Sequence, residues 1–167
     1  MIDKAYLEIT NICNLRCSFC HGTKREKRML TDAEFELITD RLAGRVKVLY
    51  FHLLGEPLLH PSFPHFVRRA WEKGFFPILT TNGSLLAKCG ETVLENLPYK
   101  ISMSLHAPAA NAAFSDPAYF DAVYREACEV TAYLCAMFGG GHAVGLFDGA
   151  GLLTLSSAAV LLIVMAV

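Results

Sequence analysis

The feature that most limits the fold of this chain is a fourfold alternation of short apolar or β-branched runs with amphipathic stretches. Lys4–Thr10, KAYLEIT, reads as a first strand. Thr31 with Glu34 three residues on forms a capping box, and Phe35, Ile38 and Leu42 recur at helical spacing until Gly44. Val46–Leu54 is almost continuously apolar, as expected of a parallel strand covered on both faces. Pro61 and Pro64 lead into a helix with Phe66, Val67, Ala70 and Trp71 on one side. Arg68, Arg69, Glu72 and Lys73 lie mostly on the other, and the helix closes at Gly74. Phe76–Thr81 is the third strand, Leu85–Leu97 a short or broken helix and Tyr99–His106 the fourth strand. Pro117 then opens a long helical pattern. Strands that alternate with helices predict an α/β fold with a parallel sheet and right-handed crossovers.

Such a sheet gathers its working loops at the carboxyl ends of the strands, and four candidate motifs fall there. They are the loop Ile9–His21, Gly55-Glu56-Pro57, Thr81-Asn82-Gly83 and the end of the fourth strand. In the first loop Cys13, Cys17 and Cys20 offer three thiolates, soft ligands suited to zinc, Cu(I) or iron–sulfur clusters. A cubane cluster held by three thiolates keeps one iron open for chemistry. Structural zinc usually takes four ligands in two pairs, and Cys89, Cys128 and Cys135 stand apart. The first five residues are not a secretory signal, which weakens a disulfide reading.

The spacing Cys13-x3-Cys17-x2-Cys20, with Phe19 before the last cysteine, resembles the radical S-adenosylmethionine (radical SAM) superfamily. The resemblance implies a partial parallel (βα) barrel of about four strand–helix units, incomplete relative to a (βα)6 core. It implies a [4Fe–4S] cluster on the three cysteines, with S-adenosylmethionine on the open iron. Electron transfer to the sulfonium would then yield methionine and a 5'-deoxyadenosyl radical that abstracts hydrogen from a peptide or small-molecule substrate. An external electron donor such as flavodoxin or ferredoxin is the implied partner. Gly55-Glu56-Pro57 resembles the family's Gly-Gly-Glu-Pro turn, with Leu54 replacing the first glycine. That turn implies a place for the cofactor's amino group at Glu56, and the alternative is a glutamate that caps the next helix. Phe19 is implied to offer backbone groups and an apolar surface to the adenine. Asn82 and Gly83 resemble a segment near cofactor or substrate, although Asn-Gly is also a good turn. Ser102, Ser104 and His106 share one face of the fourth strand by the period of two, where the family contacts ribose or methionine. His52, His60 and His65 show no ligand pattern and read as structural or exposed, and the basic run 24–28 reads as solvated loop. The overall pattern is most similar to members with a C-terminal auxiliary-cluster (SPASM-type) domain, which these residues do not include.

A net charge of −1 gives no electrostatic case for nucleic acid, and a cytoplasmic location is expected. Of the 31 charged residues, 15 basic and 16 acidic, only Asp148 lies beyond Glu129. The composition therefore divides the chain into residues 1–129, a partial core, and 130–167, an apolar segment of low charge. Three readings of that segment stay open: frameshifted or truncated sequence, a tail anchor, and replacement strands. Gly149–Val167 is 19 uncharged residues, long enough to span a bilayer, but it lacks flanking Lys or Arg and an aromatic belt. The region after Glu129 is expected not to complete the barrel, which leaves the fourth strand an unpaired edge that invites aggregation or pairing with another chain.

Overall fold

A computed structural model describes residues 3–104, 144–148, 151–152 and 161–165. Four strands alternate with three helices: β1 (Lys4–Tyr6), α1 (Asp32–Leu42), β2 (Val48–Phe51), α2 (Phe63–Glu72), β3 (Phe76–Thr81), α3 (Leu86–Glu95) and β4 (Lys100–Ser104). Neighbours pair in parallel and in sequence order, with Tyr6 beside Tyr50, Tyr50 beside Ile78, and Thr80 beside Ser102. The alternation read from the sequence is therefore a parallel α/β sheet.

Local chemistry explains the element ends. Thr31 accepts from the Glu34 backbone and the Glu34 carboxylate accepts from the Thr31 backbone, so the capping box is present. Pro64 sits in the first turn of α2, where a missing N–H costs nothing. Tyr50 and Val48 are half-buried while Leu49 and Phe51 are fully buried, so β2 alternates and is not covered equally on both faces. Leu49, Phe51, Leu79, Ile101 and Met103 pack with Phe35, Phe66, Val67 and Ala70 into one core between sheet and helices. Phe35 and Phe66 stack with centroids 4.1 Å apart. The other face carries Tyr6 stacked on Tyr50 at 4.8 Å. Trp71, expected on the apolar side of α2, is 40% exposed; it rests on Phe76 and Tyr99, and its Nε1 donates to the Leu97 carbonyl.

β1 stops at Tyr6, four residues before the expected end, because the chain changes partner. The Leu7 amide still donates to the Tyr50 carbonyl, but Leu30 N donates to the Ile9 carbonyl and Thr10 bridges Met29 in antiparallel sense. Residues 9–30 thus leave and return at one point, and the cysteine loop lies between. His60 is buried: one ring nitrogen lies 2.8 Å from the Leu30 carbonyl and the other accepts from the Ser62 amide. The structural reading of this histidine holds.

Three further strands, β5 (Val144–Asp148), β6 (Gly151–Leu152) and β7 (Leu161–Met165), extend the sheet to the order β1-β2-β3-β4-β7-β5-β6. β7 pairs in parallel with β4, so the edge expected to stay open beside the fourth strand is covered. The run LLIVM suits a buried strand as well as a membrane segment, which is why its sequence alone did not decide the matter. Among the described residues no helix is long and apolar enough to cross a membrane. His106, Cys128, Cys135 and the helical pattern opened by Pro117 lie outside the described residues.

Candidate cofactor site

The carboxyl ends of β1, β2, β3 and β4 enclose a cavity of about 740 Å³, within the usual range for small-molecule sites. Cys13, Cys17, Cys20, Phe19, Gly55, Glu56, Asn82 and Ser104 all border it. Pro57, buried at the start of the turn Pro57–Leu59, and Ser102, two residues before Ser104 on β4, are expected residues that do not line the cavity. Ser102 pairs with Thr80, which does border the cavity.

The Gly55-Glu56-Pro57 turn is built against the cysteine loop. Gly55 has φ +81°, and a Cβ there would lie 2.4 Å from the Thr10 carbonyl oxygen and 2.8 Å from that of Ile12. Only glycine accepts both the left-handed backbone and that approach. The Glu56 amide donates to the Ile12 carbonyl at 2.8 Å, one residue before Cys13. Leu54, in the place of a glycine, is tied by its amide to Glu8 Oε2 at 3.1 Å, and Glu8 pairs with Arg25 at 2.6 Å. Part of the basic run is therefore structural: Arg25 holds Glu8, Lys27 donates to the Asn11 carbonyl and Arg28 pairs with Glu34.

Glu56 is 1% exposed. Its Oε1 accepts from Thr81 Oγ1 at 2.8 Å and from the Leu58 amide at 3.1 Å, and its Oε2 accepts from the Asn82 amide at 2.7 Å. It also caps the 3-10 turn Pro57–Leu59, so the capping alternative describes a contact that is present. A carboxylate has about four lone-pair positions, and three are used, which leaves room for one further donor. Burial, the largest influence, pushes the Glu56 carboxyl above its ordinary value, while the three donors pull it down.

Cys13, Cys17, Cys20 and Cys89 form no disulfide. Cys13 Sγ accepts from the Leu15 amide at 3.4 Å and lies 3.8 Å from Asn82 Nδ2; Cys20 Sγ accepts from the Gly22 amide at 3.4 Å. Desolvation pushes the Cys13 thiol up, opposed by the Leu15 and Asn82 donors and reinforced by the Glu56 charge. Among the described residues no group of three His, Cys, Asp or Glu side chains is set around a single ion. A four-iron cluster binds each thiolate through a different iron, so its ligands border a volume and need not meet at one point. Three thiolates around one cavity, with sulfur-directed N–H donors, suit such a group.

Sequence reasoning missed several residues here. Thr81 belongs to the candidate segment Thr81-Asn82-Gly83 but has no role of its own in the sequence pattern, and it holds Glu56. His52, which shows no ligand pattern in the sequence, lines the cavity, and burial pushes its pKa down. Asn11 is buried and clasps the returning chain, donating to the Glu26 carbonyl and accepting from the Arg28 amide. The available signal for Asn11 was its place inside the Ile9–His21 loop, two residues before Cys13.

The fold and the site define a parallel α/β protein with a thiolate-lined cavity at its carboxyl rim. The chain belongs to the radical SAM superfamily, which residues 7–130 match. This is a family of enzymes that use a [4Fe–4S] cluster and S-adenosylmethionine. Among curated relatives, a tungsten-containing aldehyde ferredoxin oxidoreductase cofactor-modifying protein of Pyrococcus furiosus is 40% identical over 85 residues, 48% of this chain and 24% of the relative. An S-adenosylmethionine-dependent nucleotide dehydratase of Selenomonas ruminantium is 36% identical over 52% of this chain and 32% of its own length. A GTP 3',8-cyclase of Chlorobaculum tepidum is 35% identical over 56% of this chain and 30% of its own length. The chain thus spans about a third or less of the curated relatives it matches. Among solved structures, BtrN in complex with AdoMet and 2-DOIA is similar with TM-score 0.57 and 25% identity, covering 72% of this chain and 55% of BtrN. Streptococcus suis SuiB bound to precursor peptide SuiA has TM-score 0.56 at 15% identity over 88% of this chain and 33% of that one, a likeness of fold alone.

Proposed function

We propose that this chain carries the cluster- and cofactor-binding part of a radical SAM enzyme that cleaves S-adenosylmethionine reductively and abstracts hydrogen from a peptide or small-molecule substrate. The observation that carries the reading is the convergence of Cys13, Cys17 and Cys20 on one cavity with Gly55, Glu56 and Asn82. When bound, the cluster and the cofactor supply one-electron cleavage of a sulfonium and hence a carbon radical. The chain's own residues hold and orient. Cys13, Cys17 and Cys20 hold three irons, and Glu56 offers its remaining lone pair to the cofactor's ammonium. Phe19, 50% exposed at the mouth, offers an apolar face to the adenine. Ser104 reaches the ribose or methionine from β4, with Ser102 behind it. Pro57 stiffens the turn that carries Glu56. An external donor of the flavodoxin or ferredoxin class supplies the electron, in keeping with the exposure of Cys20. Residues 1–129 form the core portion and 130–167 a compositionally separate segment.

Anaerobic reconstitution with iron and sulfide tests the reading. About four irons per chain are expected, with loss of iron when all three cysteines become alanine. Retention of iron by the triple variant, or zinc without sulfide in anaerobically purified protein, would sink it.

A further inference from the structure

Asn82 sits where β3 meets the cysteine loop, and its side-chain amide has only one way round. Its Oδ1 accepts from the Ser84 backbone amide at 2.9 Å, a donor that only oxygen can receive, and from Ser84 Oγ at 2.6 Å. Its Nδ2 must therefore face the loop, where it donates to Asn14 Oδ1 at 3.1 Å and points its second N–H at Cys13 Sγ, 3.8 Å away. Asn14 Nδ2 donates to Ser84 Oγ at 2.8 Å, which closes a ring of three side chains. Separately, the Asn82 backbone amide donates to Glu56 Oε2 at 2.7 Å. The main chain of Asn82 thus serves the carboxylate and its side chain serves the sulfur.

We infer that Asn82 is a positioning residue that sets the reduction potential of the cluster through an N–H···S bond to Cys13. The inference rests on the proposed cluster reading and goes beyond it. A hydrogen bond to a ligand sulfur draws off negative charge and favours the reduced, more negative cluster, and such bonds are among the factors that set these potentials. No bond at Asn82 forms or breaks. The one electron comes from the external donor and resides on the cluster.

The test is redox titration of the reconstituted 167-residue chain, followed by the electron paramagnetic resonance of the reduced cluster. Asn82→Leu keeps the size and removes both donors, while Asn82→Asp places negative charge beside the sulfur. Both should lower the potential, Asn82→Asp further, by on the order of tenfold in the reduced-to-oxidised ratio at fixed applied potential, or ~59 mV for a one-electron couple. A cluster with unaltered potential in both variants overturns the inference but leaves the cluster reading intact. An unaltered chain that takes up no four-iron cluster overturns both. If the variants fail to assemble a cluster, the unaltered chain decides. Labelled with ¹⁵N in the asparagine side chains, it should show a nitrogen hyperfine coupling to the reduced cluster, and absence of that coupling overturns the inference.

Discussion

The helix-facing layer of the sheet and its carboxyl rim are built from opposite materials. Between sheet and helices lie Phe35, Leu49, Phe51, Phe66, Val67 and Leu79, each without accessible surface. Their contacts are non-directional, so this layer fixes where the strands run and tolerates small adjustments of position. At the rim Glu56, Thr81, Asn82, Asn14 and Ser84 are joined by directed hydrogen bonds. A directed network fixes distances between loops far apart in sequence, as a site for a large cofactor requires. Damage to the first layer should cost the fold, whereas damage to the second should cost the ligand.

The largest expected effect breaks the comparison on the core side. Phe66→Ala removes one ring of the 4.1 Å stack with Phe35 and leaves a cavity in the core beside Phe35 and His60. A loss of ~3–5 kcal/mol in unfolding free energy is expected, measured by denaturant titration. For a domain of this size that is a large share of its stability, and cluster uptake should fall with it.

Gly55→Ala breaks the comparison at a rim residue that also bears on the fold. Alanine at φ +81° with its Cβ 2.4 Å from the Thr10 carbonyl should cost about 1–3 kcal/mol from backbone strain. The turn must move away from Ile12, so S-adenosylmethionine binding should weaken more than stability does; equal loss of both would place Gly55 with the core.

The two layers were not equally legible in the sequence. Apolar periodicity announced α1, α2 and the strands, because a hydrophobic stripe is written locally. The capping box at Thr31 and Glu34 was readable for the same reason. The cysteines and Gly55-Glu56 were visible as motifs. The bonds that turn them into a site were not: Asn82 and Cys13 are 69 residues apart, and Thr81 and Glu56 are 25 apart. Pairing of LLIVM with β4 was equally hidden, since an apolar run states its need for burial without naming a partner.

Glu56→Gln sharpens the comparison. It keeps the shape and the acceptor for Thr81 or Leu58 but removes the charge offered to an ammonium, so S-adenosylmethionine affinity should fall by ~1.5–3 kcal/mol with the cluster intact, as read by calorimetry. Without cofactor its effect depends on pH. Burial raises the folded-state value above the ordinary 4.5, so the folded chain holds more protons than the unfolded chain as pH rises from that point. Stability should therefore decline from pH 4.5 up to the raised value, and Glu56→Gln should flatten that decline.

The smallest effect lies on the outer surface of the helices and has the opposite sign. Glu36 on α1 receives Arg69 of α2 through two bonds, 2.7 and 2.9 Å, and Lys73 at 2.7 Å. The Arg69 bond first, then the Lys73 bond, hold its carboxyl down at about 2. A depressed folded-state value means that the stabilisation is complete above the unfolded value of 4.5 and is lost as pH falls toward 2. The group is close to a third exposed, so solvent screening limits Glu36→Gln to under about 1 kcal/mol at neutral pH. That difference should shrink in high salt and vanish near pH 2. The two glutamates thus make a matched pair of measurements on one fold. Glu36→Gln should remove a rise in stability between pH 2 and 4.5, and Glu56→Gln a fall above pH 4.5. If both variants shifted the profile in the same direction, the rim carboxylate would be behaving as an ordinary surface partner, and its separation from the helix layer would fail.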